Sequence, residues 1–280
     1  MNGAIIGLGH GKRVFVEAFK LSKINLIGVY SRNKKKAIDY AIKKKLKKKY
    51  KSVDEIIFDT EVEVIAIAIP AYYQMEIIKK CILNKKKIFC EKPIVVDFNI
   101  LKKNQKLLSN YNKQFVVDYI FQEHDAFKRF KSIIPKNIPK NSTVDVTFNT
   151  LSYTNAKKIK NWKNFPLLGG GIINLYLPHI LDYLVFLFGP ISKLKNLSRK
   201  KNYIDIIYIL KNGIKANIVI SSNEKNREHS IAYQDSKISL ILKNNSKDYA
   251  KNFFIKQIYK NKNIEKIILY QNKINFYKGD

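Results

Sequence analysis

From residue 4 to residue 121 the chain keeps returning to one unit: a short apolar run, then a longer amphipathic stretch. The apolar runs lie at 4–6, 25–30, 64–69, 87–90 and 114–121. The stretches between them, 13–21, 34–50, 74–83 and 99–108, carry apolar residues at helical spacing. In the second, Ala37, Ile38, Ala41, Ile42 and Leu46 share one face and lysines take the other. A strand that is apolar throughout needs cover on both faces. Such strands alternating with helices predict a parallel sheet with helices on either side.

The turn after the first run reads Gly7-Leu8-Gly9-His10-Gly11-Lys12 and opens the first predicted helix at Arg13. Glycines at a sharp strand-to-helix turn let the backbone approach a pyrophosphate, and the helix start supplies N–H groups and partial positive charge. The third glycine of the usual fingerprint falls at Lys12, with Gly11 one place early, which predicts a wider helix–strand contact. The second strand ends at Ser31-Arg32-Asn33. NAD-preferring folds place an acid there for the ribose 2′-hydroxyl, whereas Ser31 and Arg32 suit a 2′-phosphate. This favours NADP(H) over NAD(H); the bland alternative is that Arg32 is an ordinary surface residue.

Beyond about residue 122 the pattern changes. A helix is predicted over 126–134, a long strand over 143–153 and a helical stretch over 168–188. The runs 204–210 and 214–220 flank Lys211-Asn212-Gly213, and Asn-Gly between β-rich runs signals a hairpin. Residues 238–242 and 264–270 are further candidate strands. There is no internal repeat and no linker rich in Pro, Gly or Ser. The expected fold class is α/β: a Rossmann dinucleotide-binding domain over 1–121, then an α+β domain over 122–280 built on a largely antiparallel sheet for substrate binding and oligomerisation.

The net charge is +31, from 53 Lys and Arg against 22 Asp and Glu. Only Arg13, Arg32, Arg129, Arg199 and Arg227 are arginines, and arginine is the usual bidentate reader of guanine. The lysines are spread along the chain, with runs at 34–36, 43–49 and 85–87. This reads as a solvated coat with a loose attraction for anions, not as a specific nucleic-acid surface. Cys81 and Cys90 match no metal-ligand spacing and suit a reduced, cytoplasmic protein. No uninterrupted apolar run approaches the roughly 18–20 residues of a membrane span. The first residues lack the basic region of a secretory signal. Neither a metal nor a membrane partner is expected.

Four segments together resemble the Gfo/Idh/MocA family of NAD(P)-dependent oxidoreductases: GLGHGKRV at 7–14; Ala66-Ile67-Ala68-Ile69-Pro70 followed by Gln74 and a helix; Cys90-Glu91-Lys92-Pro93; and Gly169-Gly170-Gly171 through His179 and Asp182 to Gly189. Asn161-Trp162-Lys163 and the Val117 to Phe121 stretch look like one branch of that family. The match covers roughly 3–240. It implies hydride transfer between NAD(P) and a carbinol or keto carbon of a sugar-type substrate, and a homo-oligomer paired through the second domain's sheet, to which the strands 204–210 and 214–220 belong.

By resemblance, Lys92 is the catalytic lysine beside nicotinamide and substrate, where an ammonium favours a developing alkoxide. Pro93 biases Lys92 towards an extended backbone. His179 is the acid/base, an imidazole being suited to proton transfer near neutrality. Asp182, three residues on, shares its helical face. Ile69, Pro70, Gln74 and Glu91 are expected at the cofactor with the glycine turn. Trp162, Lys163 and Asn174 are expected at the substrate. Two departures stand out. Leu175 occupies the place where many members carry an Asp four residues before the histidine, so that acid's proton-relay role is missing or moved. The chain also ends at Asp280, where members usually continue into a helical segment. Both favour a rival reading, a dinucleotide-binding sensor without catalysis.

Overall fold

Apolar strands flanked by amphipathic helices fold as their pattern dictates. The computed structural model describes residues 1–246, 248, 251–260 and 264–269. They form two compact units, one of residues 1–118 with Pro166–Gly169, the other of the remaining described residues.

In chain order the first unit runs β1 (Asn2–Ile6), α1 (Phe15–Leu21), β2 (Asn25–Tyr30), α2 (Lys34–Lys43), α3 (Val53–Phe58), β3 (Val64–Ile67), α4 (Gln74–Leu83), β4 (Lys87–Cys90), α5 (Phe98–Asn110) and β5 (Phe115–Val117). The strands make one parallel sheet in the order β2-β1-β3-β4-β5. Successive strand residues feed opposite faces. Ile5, Val29 and Ala66 pack with Phe15, Phe19, Ala37 and Ala41 of α1 and α2. Ala4, Ile6, Ile65 and Ile67 pack with Ile56, Ile57, Ile78 and Ile82 of α3 and α4.

The helix expected over 34–50 stops at Lys43. Lys45 takes a left-handed φ of 52°, and the Leu46 N–H returns to the Ala41 carbonyl at 2.8 Å. That is a helix-ending turn in which a lysine stands where glycine is usual. The chain then buries Tyr50, whose hydroxyl donates to Asp59 at 2.8 Å. The short α3 that follows was not anticipated. Nor is every lysine of the 85–87 run part of a solvated coat. Lys86 is buried, and its ammonium donates to the Asp59 and Val62 carbonyls at 2.7 and 2.6 Å.

The second unit contains α6 (Asp125–Ile133), β6 (Thr143–Leu151), α7 (Tyr153–Ala156), α8 (Gly171–Phe188), β7 (Ile191–Lys200), β8 (Tyr203–Leu210), β9 (Lys215–Ser221), β10 (Asn223–Gln234), β11 (Ile238–Asn244), β12 (Phe254–Tyr259) and β13 (Ile264–Leu269). Eight strands form one sheet, ordered β13-β12-β11-β10-β6-β9-β8-β7. Every pairing is antiparallel except β6 with β9. The hairpin at Lys211-Asn212-Gly213 is present, with Gly213 at a φ of 87°. Strands β7, β10 and β12 went unseen in the sequence; β7 is exposed along almost its whole length and carries no apolar alternation. Of the strand expected over 264–270, Tyr270 lies outside the described residues, as does the chain end at 276–280.

Helices α6 and α8 cover one face of this sheet, burying Phe127, Phe130, Ile180, Tyr183 and Leu184 against Val146, Ile206, Ile218 and Ile231. By length and composition α8 is apolar enough to cross a membrane, although its apolar run is interrupted. Its polar interruptions are only Asn174, His179 and Asp182, and in this fold its Ile172, Leu177, Ile180, Tyr183, Leu184, Leu187 and Phe188 are buried. Pro178 lies inside the helix without ending it.

His229 on β10 is buried in that core. Its Nε2 lies 3.2 Å from the Tyr183 hydroxyl, and Phe121 and Phe148 rings stand 4.9 Å away. Burial, with a smaller contribution from His124, pushes its pKa down to about 3. The unfolded chain therefore takes up a proton that the folded one refuses. Stability is fully present above the unfolded value of about 6.5 and is lost as pH falls towards about 3, by up to about 1.4 kcal/mol per pH unit. Asp182, its pKa raised to about 6 by burial, acts with the opposite sign. The difference between variants isolates the histidine: thermal melts of His229→Phe should lose less stability than wild type over that window. Parallel pH profiles would rule the histidine out as the cause.

Candidate dinucleotide and substrate sites

The glycine turn leaves β1 abruptly. The Gly7 N–H bonds the Tyr30 carbonyl at 2.8 Å, and its φ is 107°, where a Cβ would fall 2.2 Å from the Ala68 carbonyl oxygen. Gly11 is equally tight, with a Cβ position 2.4 Å from the Gly7 oxygen and 3.0 Å from Ile5. The wider helix–strand contact expected from the shifted glycine is thus absent; Gly11 provides the close approach itself. Gly9 differs, since a Cβ there would meet nothing within 4 Å. The Arg13 and Val14 N–H groups both return to the His10 carbonyl, so the helical turn begins at His10. The Leu8 side chain is buried, leaving its backbone at the turn, while Lys12 and Arg13 are exposed. At the end of β2, Ser31 donates to the Asn33 carbonyl at 2.8 Å. Asn33 caps α2, and Arg32 stands exposed between them. An open backbone at Gly9, flanked by cations, fits a dinucleotide.

The Glu-Lys-Pro turn closes β4, with a cis peptide between Lys92 and Pro93. The Glu91 N–H bonds the Ile67 carbonyl at 2.9 Å. Gln74 is 1% exposed. Its amide donates to the Ile69 and Pro93 carbonyls at 3.2 and 3.3 Å, and its oxygen accepts from the Cys90 thiol. The carboxamide is thus directed into the domain, where it ties the Lys92 turn to the end of β3. Pro70 is buried and Ile69 half-buried. Both cysteines are buried free thiols. Burial holds the Cys90 proton well above its ordinary range.

Glu91 pairs with His10, Nε2 to Oε1, at 2.8 Å, and side-chain oxygens of Glu91 and Asp118 lie within 4.8 Å of each other. Burial first, then the Glu91 charge, raises the Asp118 pKa to about 7. Sequence reasoning named His10 and Glu91 separately and gave Asp118 no role. The available signal was an acid at the carboxyl end of the last parallel strand, level with the other strand ends.

In the second unit, Asn161 caps the turn Trp162–Asn164. A Cβ on Gly170 would lie 2.5 Å from the Lys163 and Trp162 carbonyl oxygens, so that glycine lets the turn pack against the start of α8. The Lys163 ammonium lies 6.0 Å from the Trp162 ring centroid. Asn174 donates to the Gly170 carbonyl at 3.0 Å. The His179 ring meets Phe121 and Tyr119 edge-on, at 5.5 and 6.2 Å. Asp182 accepts from Gln122. Lys92 and His179 belong to different units.

Residues 1–119 match the family model described as "Oxidoreductase family, NAD-binding Rossmann fold", the Gfo/Idh/MocA family. An uncharacterized oxidoreductase of Synechocystis sp. is 28% identical over 198 residues, covering 70% of this chain and 53% of the relative. The chain thus spans about half that relative's length. Among solved structures, UDP-N-acetylglucosamine 3-dehydrogenase from Acidithiobacillus ferrooxidans aligns at a TM-score of 0.76 and 16% identity, over 99% of this chain and 84% of that one. Levoglucosan dehydrogenase in complex with NADH and L-sorbose aligns at 0.81 and 14%, over 97% and 80%. At such identities the likeness shows the fold. The family match is thus to the N-terminal Rossmann segment, residues 1–119.

Proposed function

We infer that the chain is an NAD(P)-dependent oxidoreductase moving a hydride between nicotinamide and a carbinol or keto carbon of a sugar or sugar derivative. The observation that carries the reading is the open, glycine-lined backbone at Gly9 in the segment that matches the family model. The nicotinamide, when bound, supplies the hydride acceptor or donor. The chain's residues do the rest. The turn from Gly7 to Arg13 forms the pyrophosphate site through its backbone N–H groups other than those of Gly7 and Arg13, which bond the Tyr30 and His10 carbonyls. Arg32 favours a 2′-phosphate, hence NADP(H). Lys92 polarises the substrate oxygen and His179 moves the hydroxyl proton, with Trp162, Lys163 and Asn174 as substrate contacts. The net charge of +31 suits an anionic, nucleotide-linked sugar. That class agrees with a fold neighbour named as a dehydrogenase of UDP-N-acetylglucosamine. A cytoplasmic homo-oligomer, paired through the sheet that contains β8 and β9, belongs to the same reading.

The test is reduction of NADP⁺ or NAD⁺ with a panel of aldoses, inositols and UDP-sugars, read as nicotinamide absorbance. Turnover with at least one is expected. Tight dinucleotide binding with no turnover on any would favour the rival reading, a non-catalytic sensor, for which Leu175 speaks.

A further inference from the structure

Two turns of the first unit stand at the carboxyl end of one parallel sheet, the glycine turn after β1 and the Glu-Lys-Pro turn after β4. Strand β3 lies between β1 and β4, so no ladder bond joins the two turns. A side-chain bond does: His10 Nε2 lies 2.8 Å from Glu91 Oε1. A carboxylate only accepts, so the imidazole donates. The His10 backbone belongs to the glycine turn, where its carbonyl accepts from the Arg13 and Val14 N–H groups. Glu91 immediately precedes Lys92. The backbone of its turn is held by other bonds, from the Glu91 N–H to the Ile67 carbonyl at 2.9 Å and from the Gln74 amide to the Pro93 carbonyl at 3.3 Å. The turn therefore stays folded without the Glu91 carboxylate. What the imidazole fixes is the direction of that carboxylate. The Asp118 carboxyl lies within 4.8 Å and repels Glu91 when both are ionised, so a Glu91 released from His10 is driven elsewhere.

We propose that His10 is a positioning residue: through Glu91 it ties the Lys92 turn to the glycine turn, so that filling the phosphate site also fixes where Lys92 stands. This rests on the oxidoreductase reading above. A pyrophosphate on the open backbone at Gly9 immobilises the turn that carries the imidazole. The imidazole then holds the Glu91 carboxylate, and with it the start of the turn on which Lys92 is the next residue. Without the bond, Lys92 is no better placed with the dinucleotide present than without it. Placement matters because a shift of about 1 Å in a reacting group can cost about 10²-fold in rate. The pair carries no proton in this role and touches neither the substrate oxygen nor the transferred hydride.

The tie is tested with the full chain by two readouts. The first needs no turnover. In wild type, NADPH should slow amide hydrogen exchange both in the glycine turn and at Lys92 and Ile94. In His10→Ala the glycine turn should still be protected, while the effect at Lys92 and Ile94 is lost. Protection there that persists in His10→Ala overturns the proposal. The second readout is kinetic. His10→Ala should keep its NADPH titration within a few-fold while kcat falls about 10-fold. His10→Gln, whose amide can donate from nearly the same place, should regain most of that loss. Glu91→Ala added to His10→Ala should lower kcat little further, because the two side chains act as one unit. A wild-type kcat in His10→Ala, or a His10→Gln no better than His10→Ala, overturns the tie and leaves the oxidoreductase reading standing. A loss of NADPH affinity with kcat unchanged overturns it too, and makes His10 a cofactor contact. Linked protection without turnover on any substrate would support the tie and sink the oxidoreductase reading alone. A protein that binds neither NADPH nor NADH overturns both.

Discussion

Lys92→Ala is expected to titrate with dinucleotide as the wild type does, within a few-fold, and to turn over about 10³-fold more slowly. The split follows from where the residue stands. Lys92 lies two residues beyond β4, and the bond between this turn and the glycine turn is made by Glu91, to His10, so loss of the lysine leaves that bond in place. The Gln74 bonds to the Ile69 and Pro93 carbonyls keep the Glu-Lys-Pro turn in place. On the reading proposed, the variant removes the cation favouring charge on the substrate oxygen, and losing one such group typically costs about 10²–10³ in rate. The measurement is kcat beside a fluorescence titration of the same preparation. Retained turnover would remove Lys92 from the mechanism. A parallel loss of dinucleotide affinity would make it a cofactor residue.

The second large effect separates folding from binding within one loop. Gly7→Ala should cost about 3 kcal/mol or more. It forces a side chain into a left-handed backbone, at about 1–3 kcal/mol, and against a carbonyl oxygen, at a similar further cost. Gly9→Val should melt like wild type, because a Cβ there meets nothing in the protein. It should nevertheless lose dinucleotide binding almost entirely, since the side chain fills the space through which a pyrophosphate reaches the backbone. Thermal melts and cofactor titrations of both variants give the comparison. A Gly9→Val protein that binds normally would mean the open face of the turn is not the phosphate site.

The parallel sheet was legible because each of its strands is apolar throughout and each helix between them carries a one-sided stripe. That pattern survives any local detail. What it missed was decided by tertiary contacts. Helix α2 ends at Lys43 because Lys45 adopts a left-handed conformation, which no propensity assigns to lysine. Strands β7 and β10 are exposed over long stretches and so lack the alternation that marks a half-buried strand. In the candidate site, the glycine turn and the Glu-Lys-Pro turn are contiguous in sequence and were visible. Asp118 was not given a role because its partners lie 27 and 108 positions away, at the ends of different strands, and only the parallel register brings the three together. Gln74 was read as a cofactor residue from its place after Pro70, yet its carboxamide is taken up by the Ile69 and Pro93 carbonyls and the Cys90 thiol.

The central claim is that the glycine turn binds a nicotinamide dinucleotide, and a fluorescence titration of the purified chain with NADPH and with NADH tests it most directly. Saturable binding is expected, tighter for NADPH because Arg32 stands exposed at the end of β2 where a 2′-phosphate would lie. Binding of neither would contradict it, and the oxidoreductase reading would fall with it.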